Sequence, residues 1–334
     1  MKKGTRMIDI AESLNISVVT VSNALNNRGG VSPELREMIK KMADEIGYQY
    51  DNSSKNGSKS ESVTIGILYS DSAIGGNDNM VWQMCQKISE EFVKVNSFVI
   101  TENVSKNMIS EAILPRLITE NKVSGVIILG NLPKLYITEI KDYGLPMLMV
   151  ECESENKDSI MVDKYNSGFM LADYLYSKGH RKIGFVGEIS SDDNVCDLYL
   201  GYLKAILRYN LEKNETWLLS DKDSSGLMKR KFDIDLKTLP TAFVCSRDES
   251  AFRLAASLKA SGINVPGDVS IVSFGNSFAA EMSDPPITSV GVDADNISRI
   301  ASEMMVKKLN DESVSYGTSY IAGIIKERES VSEI

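Results

Sequence analysis

Between Ser17 and Asn26 the chain reads Ser-Val-Val-Thr-Val-Ser-Asn-Ala-Leu-Asn, a run of small hydroxyl, amide and methyl-bearing side chains. Such groups hydrogen-bond and make close methyl contacts, which is how a helix reads the base edges of a DNA groove. Groups for covalent chemistry are scarce. There is one histidine, His180, and the four cysteines, Cys85, Cys152, Cys196 and Cys245, lie far apart. No paired cysteine spacing points to zinc or a redox dithiol, and a Ser-His-Asp relay would depend on His180 alone. No glycine-rich dinucleotide loop or P-loop follows a strand-like run. Catalytic residues, metal ligands and cofactors are therefore not expected.

The elements around Ser17–Asn26 position it. Thr5 can cap a helix whose apolar residues Met7, Ile10, Ala11 and Leu14 recur on one face, and Asn15 tolerates the left-handed turn that ends it. Ser17 caps a second short helix with Val21, Ala24 and Leu25 inward and Val18, Val19, Thr20, Ser22 and Asn23 outward. That is helix-turn-helix spacing. Gly29-Gly30 breaks the chain, and Ser32-Pro33-Glu34 starts a third helix with a cap, a proline in the first turn and an acid at the positive end. Leu35, Ile39, Met42 and Ile46 give it an apolar face, and Gly47 stops it.

Charge is consistent with this head sitting on an acidic body. Residues 1–62 hold nine basic and eight acidic side chains, whereas the whole chain carries −9. DNA affinity must then come from where the cations are placed. No run approaches the ~18–20 apolar residues that span a bilayer, and Met1-Lys2-Lys3-Gly4-Thr5 leads into an amphipathic pattern, so a cytoplasmic protein without membrane association is expected.

The remainder alternates strand-like and helical segments. Apolar runs at Val63–Tyr69, Phe98–Thr101, Gly125–Leu129, Met147–Val150, Ile160–Val162, Ile183–Val186, Trp217–Leu219, Ala242–Cys245 and Val269–Phe274 are separated by helical periodicity. Repeated β-α units give parallel sheets with helices on both faces, and so many units imply two sheets. The fold class expected is α/β: a three-helix helix-turn-helix head and two doubly wound parallel-sheet subdomains. Ligands of such sheets bind beyond the carboxyl ends of the strands, in a cleft where two sheets face.

Met7-Ile8-Asp9-Ile10-Ala11, Ile16–Asn26, Val31-Ser32-Pro33 and Ile46-Gly47-Tyr48 together resemble the N-terminal signature of the LacI/GalR family of bacterial transcription regulators. The resemblance runs on through Asp163 with Gly168, Ser177–Gly187, Gly201-Tyr202, Val265–Ile271, Pro286–Val290 and Arg328-Glu329-Ser330. It implies a periplasmic-binding-protein-like body of two subdomains joined by three crossovers, with a small-molecule effector in the cleft. It divides the chain into a head (1–50), a hinge linker (51–62) and an effector-binding and dimerisation body (63–334). It also implies that Val18, Val19 and Asn23 face bases while Thr20, Ser22 and Asn26 meet phosphate or groove, with Thr5, Ser17 and Lys55 completing the DNA-binding set. Valine suits a thymine methyl and asparagine an adenine edge.

At the implied effector site, Asp71, Trp82, Asp163, Leu198, Arg247, Asp248, Gly275 and Asn276 occupy the corresponding positions, and several depart from the family pattern. Leu198 stands where sugar- and purine-responsive members have a clamping arginine, and Gly275 where they have an aspartate. Arg247-Asp248 replaces an Asn-Asp pair. An effector that is anionic or less hydroxylated than a neutral sugar is expected, or none; Arg247 pairing with a neighbouring acid is the alternative. Trp82 is either a ligand-stacking ring or core. His180, ending a helix at Gly-His-Arg, reads as a packing residue. The linker, rich in Ser, Asn and Gly, has Gly57 in place of the leucine that wedges into the minor groove, so operator kinking by a leucine is not expected. Some members dock a phosphorylated protein through an arginine, where this chain has Glu303. Ile300, Met304 and Leu309 should bury either a subunit interface or the adjoining core. The expected protein is a homodimeric regulator, most simply a repressor, on a palindromic operator; the alternative is a ligand-sensing or protein-interacting member with weakened operator binding.

Overall fold

The computed structural model describes residues 6–25, 30–46, 48, 63–70, 78–152, 158–190, 193–311 and 313–334, with residues 78–80 and 193 described by backbone only. Three helices open the chain: α1 (Met7–Leu14), α2 (Val18–Leu25) and α3 (Pro33–Ile46). Their inward residues Met7, Ile10, Ala11, Val21, Ala24, Leu25, Ile39 and Ala43, with Tyr48, form one buried cluster.

The described chain then builds two six-stranded sheets. The first holds β1 (Thr64–Ser70), β2 (Phe98–Val104), β3 (Gly125–Leu129), β4 (Met147–Val150), β5 (Asp158–Val162) and β11 (Gly317–Ile321), in the order β11-β5-β4-β3-β1-β2. The second holds β6 (Ile183–Val186), β7 (Leu218–Leu219), β8 (Ala242–Cys245), β9 (Ser270–Gly275), β10 (Thr288–Gly291) and β12 (Ile324–Lys326), in the order β12-β10-β9-β8-β6-β7. β6 through β10 pair in parallel, and only the edge strand β12 runs antiparallel to its neighbour in that sheet. The central strands are buried on both faces, as continuous apolar runs such as Gly-Val-Ile-Ile-Leu in β3 require.

Two compact units result. One comprises residues 1–161 and 294–319, the other 162–293 and 320–334, so the chain passes between them three times. In the first unit α4 (Asp78–Lys94), α5 (Lys106–Ser110), α6 (Arg116–Thr119) and α7 (Lys134–Lys141) alternate with the strands, and α12 (Ala294–Asn310) closes it. α12 packs against α4, β3 and β4. It approaches so closely that a Cβ on Gly125 would meet Met305 Sδ at 2.9 Å and Leu309 Cδ2 at 3.3 Å. Met304 and Met305 are buried as well, while Ile300 and Leu309 stay half-buried.

In the second unit α8 (Lys164–Ser177) and α9 (Asp193–Arg208) cover one sheet face, while α10 (Asp248–Ala260) and the short α11 (Phe278–Glu281) cover the other. Alternate residues of β8 supply the two cores: Ala242 and Val244 face α8 and α9, Phe243 and Cys245 face α10. α8 and α9 touch backbone to backbone. A Cβ on Gly168 would lie 1.9 Å from the Leu198 carbonyl oxygen, and one on Gly201 would lie 1.8 Å from that of Tyr165. Strands β10, β11 and β12 go beyond the strand runs read from sequence. β11 and β12 are short and half-exposed, so they lack the apolar run that marks a buried strand.

Candidate functional site

The head is built to present α2. Asn15 adopts the left-handed conformation (φ 53°, ψ 45°) that the sequence predicts, and turns the chain out of α1. Ser17 then caps α2: its Oγ accepts the Thr20 N–H at 3.0 Å and lies 2.8 Å from Thr20 Oγ1. At the other end Arg36, from α3, donates through Nη1 to the carbonyls of Asn23 (2.9 Å) and Ala24 (2.8 Å), putting a cation on the negative end of the helix. Sequence reading missed this role of Arg36, although an arginine one turn into the following helix was its signal. α2 is thus fixed at both ends and along its buried face.

Two expectations for the head are corrected. The N-cap of α1 is Arg6, not Thr5; the Asp9 carboxylate accepts the Arg6 N–H at 2.7 Å, so an acid in the first turn does the capping. Ser22 is not outward. It is 1% exposed, because it falls one turn after Val18 and three residues before Leu25 on the inner side of α2. Val19 is 56% exposed, while Val18, Thr20 and Asn23 are half-buried. Thr5, Asn26, Lys55, Asp71 and the linker with Gly57 lie outside the described residues.

At the carboxyl edge of the first sheet, Trp82 on α4 is 52% exposed and stands edge-on to Tyr69 at the end of β1, with ring centroids 5.6 Å apart and planes at 61°. It is therefore a surface ring beside the strand ends, not core. Ser70, the last residue of β1, donates to the Asn131 carbonyl at 3.3 Å.

The carboxyl edge of the second sheet is denser in polar groups. Asp248, at the start of α10, is almost fully enclosed; its Oδ1 accepts the hydroxyls of Ser273 (2.5 Å) and Ser289 (2.7 Å), and its Oδ2 the Ser277 N–H (2.6 Å). Burial raises its pKa and these hydrogen bonds only partly offset that. It ties together β9, β10 and the start of α11, so both of its oxygens are engaged within the second unit. Asn276 (φ 51°) is similarly engaged, its Oδ1 accepting from Arg328 at 2.5 Å while its N–H donates to Ser289 Oγ at 2.9 Å. Gly275 precedes it with φ 134°. Leu198 is a core residue packed among Leu171, Val195 and Tyr202, because the backbone contact at Gly168 draws α9 against α8 and encloses it. Asp163 caps α8, accepting the Asn166 N–H at 2.8 Å. Arg247 is half-buried at the N-cap of α10.

Three residues at this edge were not singled out in the sequence. Asp221, two positions after β7, is buried with Oδ2 accepting the Ser250 hydroxyl at 2.6 Å, while its Oδ1 has no hydrogen-bond partner among the described residues. Ser246, directly after β8, is buried with its hydroxyl likewise unpartnered. Glu188, after β6, accepts from Ser190 and Ser220, and those hydroxyls hold its carboxyl below the usual range. Their position immediately past strand ends was the available signal. Cys245 is kept as a thiol by burial, with the charges of Asp221 and Asp248 adding to the effect. His180 is buried, with Nδ1 3.0 Å from Thr241 Oγ1 and Nε2 3.2 Å from the Ser332 carbonyl, and burial lowers its pKa. Both ring nitrogens are spent on packing contacts. Glu303 pairs with Arg299 at 2.8 Å.

A capped helix-turn-helix followed by two parallel sheets with polar strand ends defines a DNA-binding regulator carrying a periplasmic-binding-protein-like body. Residues 6–51 match the bacterial regulatory proteins of the lacI family, and residues 172–331 match the periplasmic binding protein-like domain. The NTD biosynthesis operon regulator NtdR of Bacillus subtilis is 28% identical over 325 residues, covering 95% of each chain. Catabolite control protein A of Priestia megaterium is 24% identical, covering 96% of this chain and 98% of its own. Among solved structures, the lac repressor dimer bound to operator and an anti-inducer superposes with a TM-score of 0.64 at 19% identity, over 99% of this chain and 100% of its own. A transcriptional regulator CelR–cellobiose complex gives the same TM-score at 20% identity, over 98% and 99%. The chain thus carries a lacI-family DNA-binding domain and a periplasmic-binding-protein-like domain, and it is similar to LacI-family regulators over nearly its whole length.

Proposed function

We propose that this protein is a cytoplasmic, non-enzymatic repressor that binds a palindromic operator as a homodimer and responds to a small-molecule effector. Its head is residues 1–50, its linker 51–62 and its effector-binding body 63–334. The observation that carries this reading is α2, held by Ser17 at its start and Arg36 at its end, with Val19 outward and Val18, Thr20 and Asn23 flanking it. A helix fixed in this way can be docked in a major groove without further ordering.

Two-fold assembly has support in the second unit. Leu227, Phe252, Phe278 and Met282 are large apolar side chains left exposed. Arg253 on α10 donates to the carbonyls of Met228 and Lys229, and α11 packs on α10, so the four share one side of that unit. An exposed apolar group of this kind marks an interaction surface.

The effector is received at the carboxyl ends of the strands, where Arg247 offers a cation and the open atoms of Asp221 and Ser246 require hydrogen-bond partners. Arg247 adds a cation and Gly275 has no carboxylate to accept hydroxyls, so the ligand is anionic or sparsely hydroxylated and not a neutral sugar. The test is a gel shift with duplexes selected from random-sequence DNA. Retention by the full chain, and loss of it in residues 63–334 alone, is the expected result. Specific retention by 63–334 would overturn the assignment, and a full chain that selects no sequence would favour the ligand-sensing alternative.

A further inference from the structure

The head makes a contact that reading DNA does not require. Arg6, at the start of α1, points its guanidinium toward the body of the same unit: Nη1 lies 3.5 Å from Glu139 on α7 and 3.9 Å from Asp142 at the end of that helix, while Nη2 lies 3.7 Å from Asp9. Immediately beyond, Gly144 adopts a left-handed conformation (φ +69°). A Cβ there would come within 2.9 Å of Val18 Cγ1 and 3.1 Å of Met7 Sδ. The buried phenol rings of Tyr48, from the head, and Tyr143 lie within electrostatic reach of each other. A charged pair of acids and a bare glycine turn therefore receive the head.

We propose that the protein holds its own head in a DNA-free docked state, in which α7 and the Tyr143-Gly144 turn cover Arg6, Met7 and Val18, and operator DNA must displace them. This rests on the reading that Val18 faces bases. A recognition helix enters the groove with its N-terminal residues foremost, and Val18 is the first residue of α2. A body turn packed on Val18 occupies volume that a duplex needs. The Arg6 charge, shared among Asp9, Glu139 and Asp142, is likewise withheld from phosphate. Docking and DNA binding are thus alternatives, and the docked fraction lowers the apparent operator affinity in proportion. Glycine at 144 is suited to this twice over, by its φ and by the absence of a side chain where Val18 lands.

The test uses the full chain with Val18→Cys and Gly144→Cys in a Cys196→Ser background. Disulfide Cβ atoms stand about 3.8 Å apart, a span compatible with the closeness of Val18 to position 144. Oxidation without DNA should join the two cysteines and abolish retention of a duplex selected by the wild-type protein, and reductant should restore it. A joined protein that binds as well as its reduced form, or cysteines that do not join, would overturn the proposal. Since Val18→Cys alters a base-facing residue, a second variant, Glu139→Gln with Asp142→Asn, leaves α2 intact. In it, amide hydrogen exchange of α1 and α2 without DNA should quicken, and operator binding should tighten about 2- to 10-fold, the range for two partly exposed ion pairs. Unchanged exchange with intact DNA binding would refute the docking alone. Quickened exchange in a protein that binds no DNA would instead refute the DNA reading, and with it the competition.

Discussion

Replacing Asp248 by alanine removes a carboxylate that bonds to β9, β10 and the N-cap of α11 at once, and the structure gives the cost. Three donors lose a charged acceptor: the Ser273 hydroxyl, the Ser289 hydroxyl and the Ser277 N–H. Ser289 has a second acceptor, the Ser273 carbonyl at 3.1 Å, so it re-pairs in part. Two buried donors stay stranded at ~1–3 kcal/mol each, giving a loss of about 3–4 kcal/mol after the relief of burying no charge. Trp217 is buried in the same unit and is the reporter, in a Trp82→Phe background that silences the exposed ring. With a urea m-value of ~1–3 kcal/mol/M, the Trp217 midpoint should fall by about 1–3 M. Asp248→Asn keeps one oxygen but sets an amide NH2 against the Ser277 N–H, and should cost about half as much. The sign with pH is also fixed. Burial raises the folded pKa of Asp248 above 3.8, so its ionised form is penalised at neutral pH and that penalty lifts as pH falls through the raised value. The gap between wild type and Asp248→Ala should therefore widen on acidification toward 3.8. A loss below ~1 kcal/mol at pH 7, or a gap that narrows on acidification, would refute the reasoning.

Gly201→Ala places a Cβ against the Tyr165 carbonyl, which cannot yield as a side chain would; unit 2 should lose about 3 kcal/mol or more, read by the same Trp217 transition. Arg36→Met strips the cation from the end of α2 and should weaken operator binding while costing about 1–2 kcal/mol of head stability, checked by gel shift and by melting of the head signals. Burial lowers the pKa of His180, so its contribution is complete above 6.5 and declines as pH falls below it; His180→Gln should flatten the loss of stability between pH 7 and 5. Arg247→Ala should weaken an anionic effector by ~1.5–3 kcal/mol in calorimetry, and tight binding of a neutral hexose that ignores this substitution would count against the effector reading.

Elements whose signals are local were legible in the amino-acid order. Ser17 three residues before Thr20, Asn15 at a left-handed turn and Pro33 after Ser32 each act within one helical turn, so these caps and turns of the head could be read from spacing, whereas the burial of Ser22 and the reach of Arg36 to α2 could not. The central strands were equally legible, because burial on both faces forces an uninterrupted apolar run such as that of β3. The features that could not be read this way depend on partners far apart in the chain. Asp248 looks like an available carboxylate until Ser273 and Ser289 arrive from two later strands, and Leu198 looks like a ligand position until Gly168 brings α8 against it. The strands β11 and β12, half-exposed at sheet edges, carry no pattern that their own residues impose. Asp221 and Ser246 were hidden for the converse reason: an acid or a serine after a strand is ordinary in sequence, and becomes informative only when burial leaves its oxygen without a hydrogen-bond partner among the described residues.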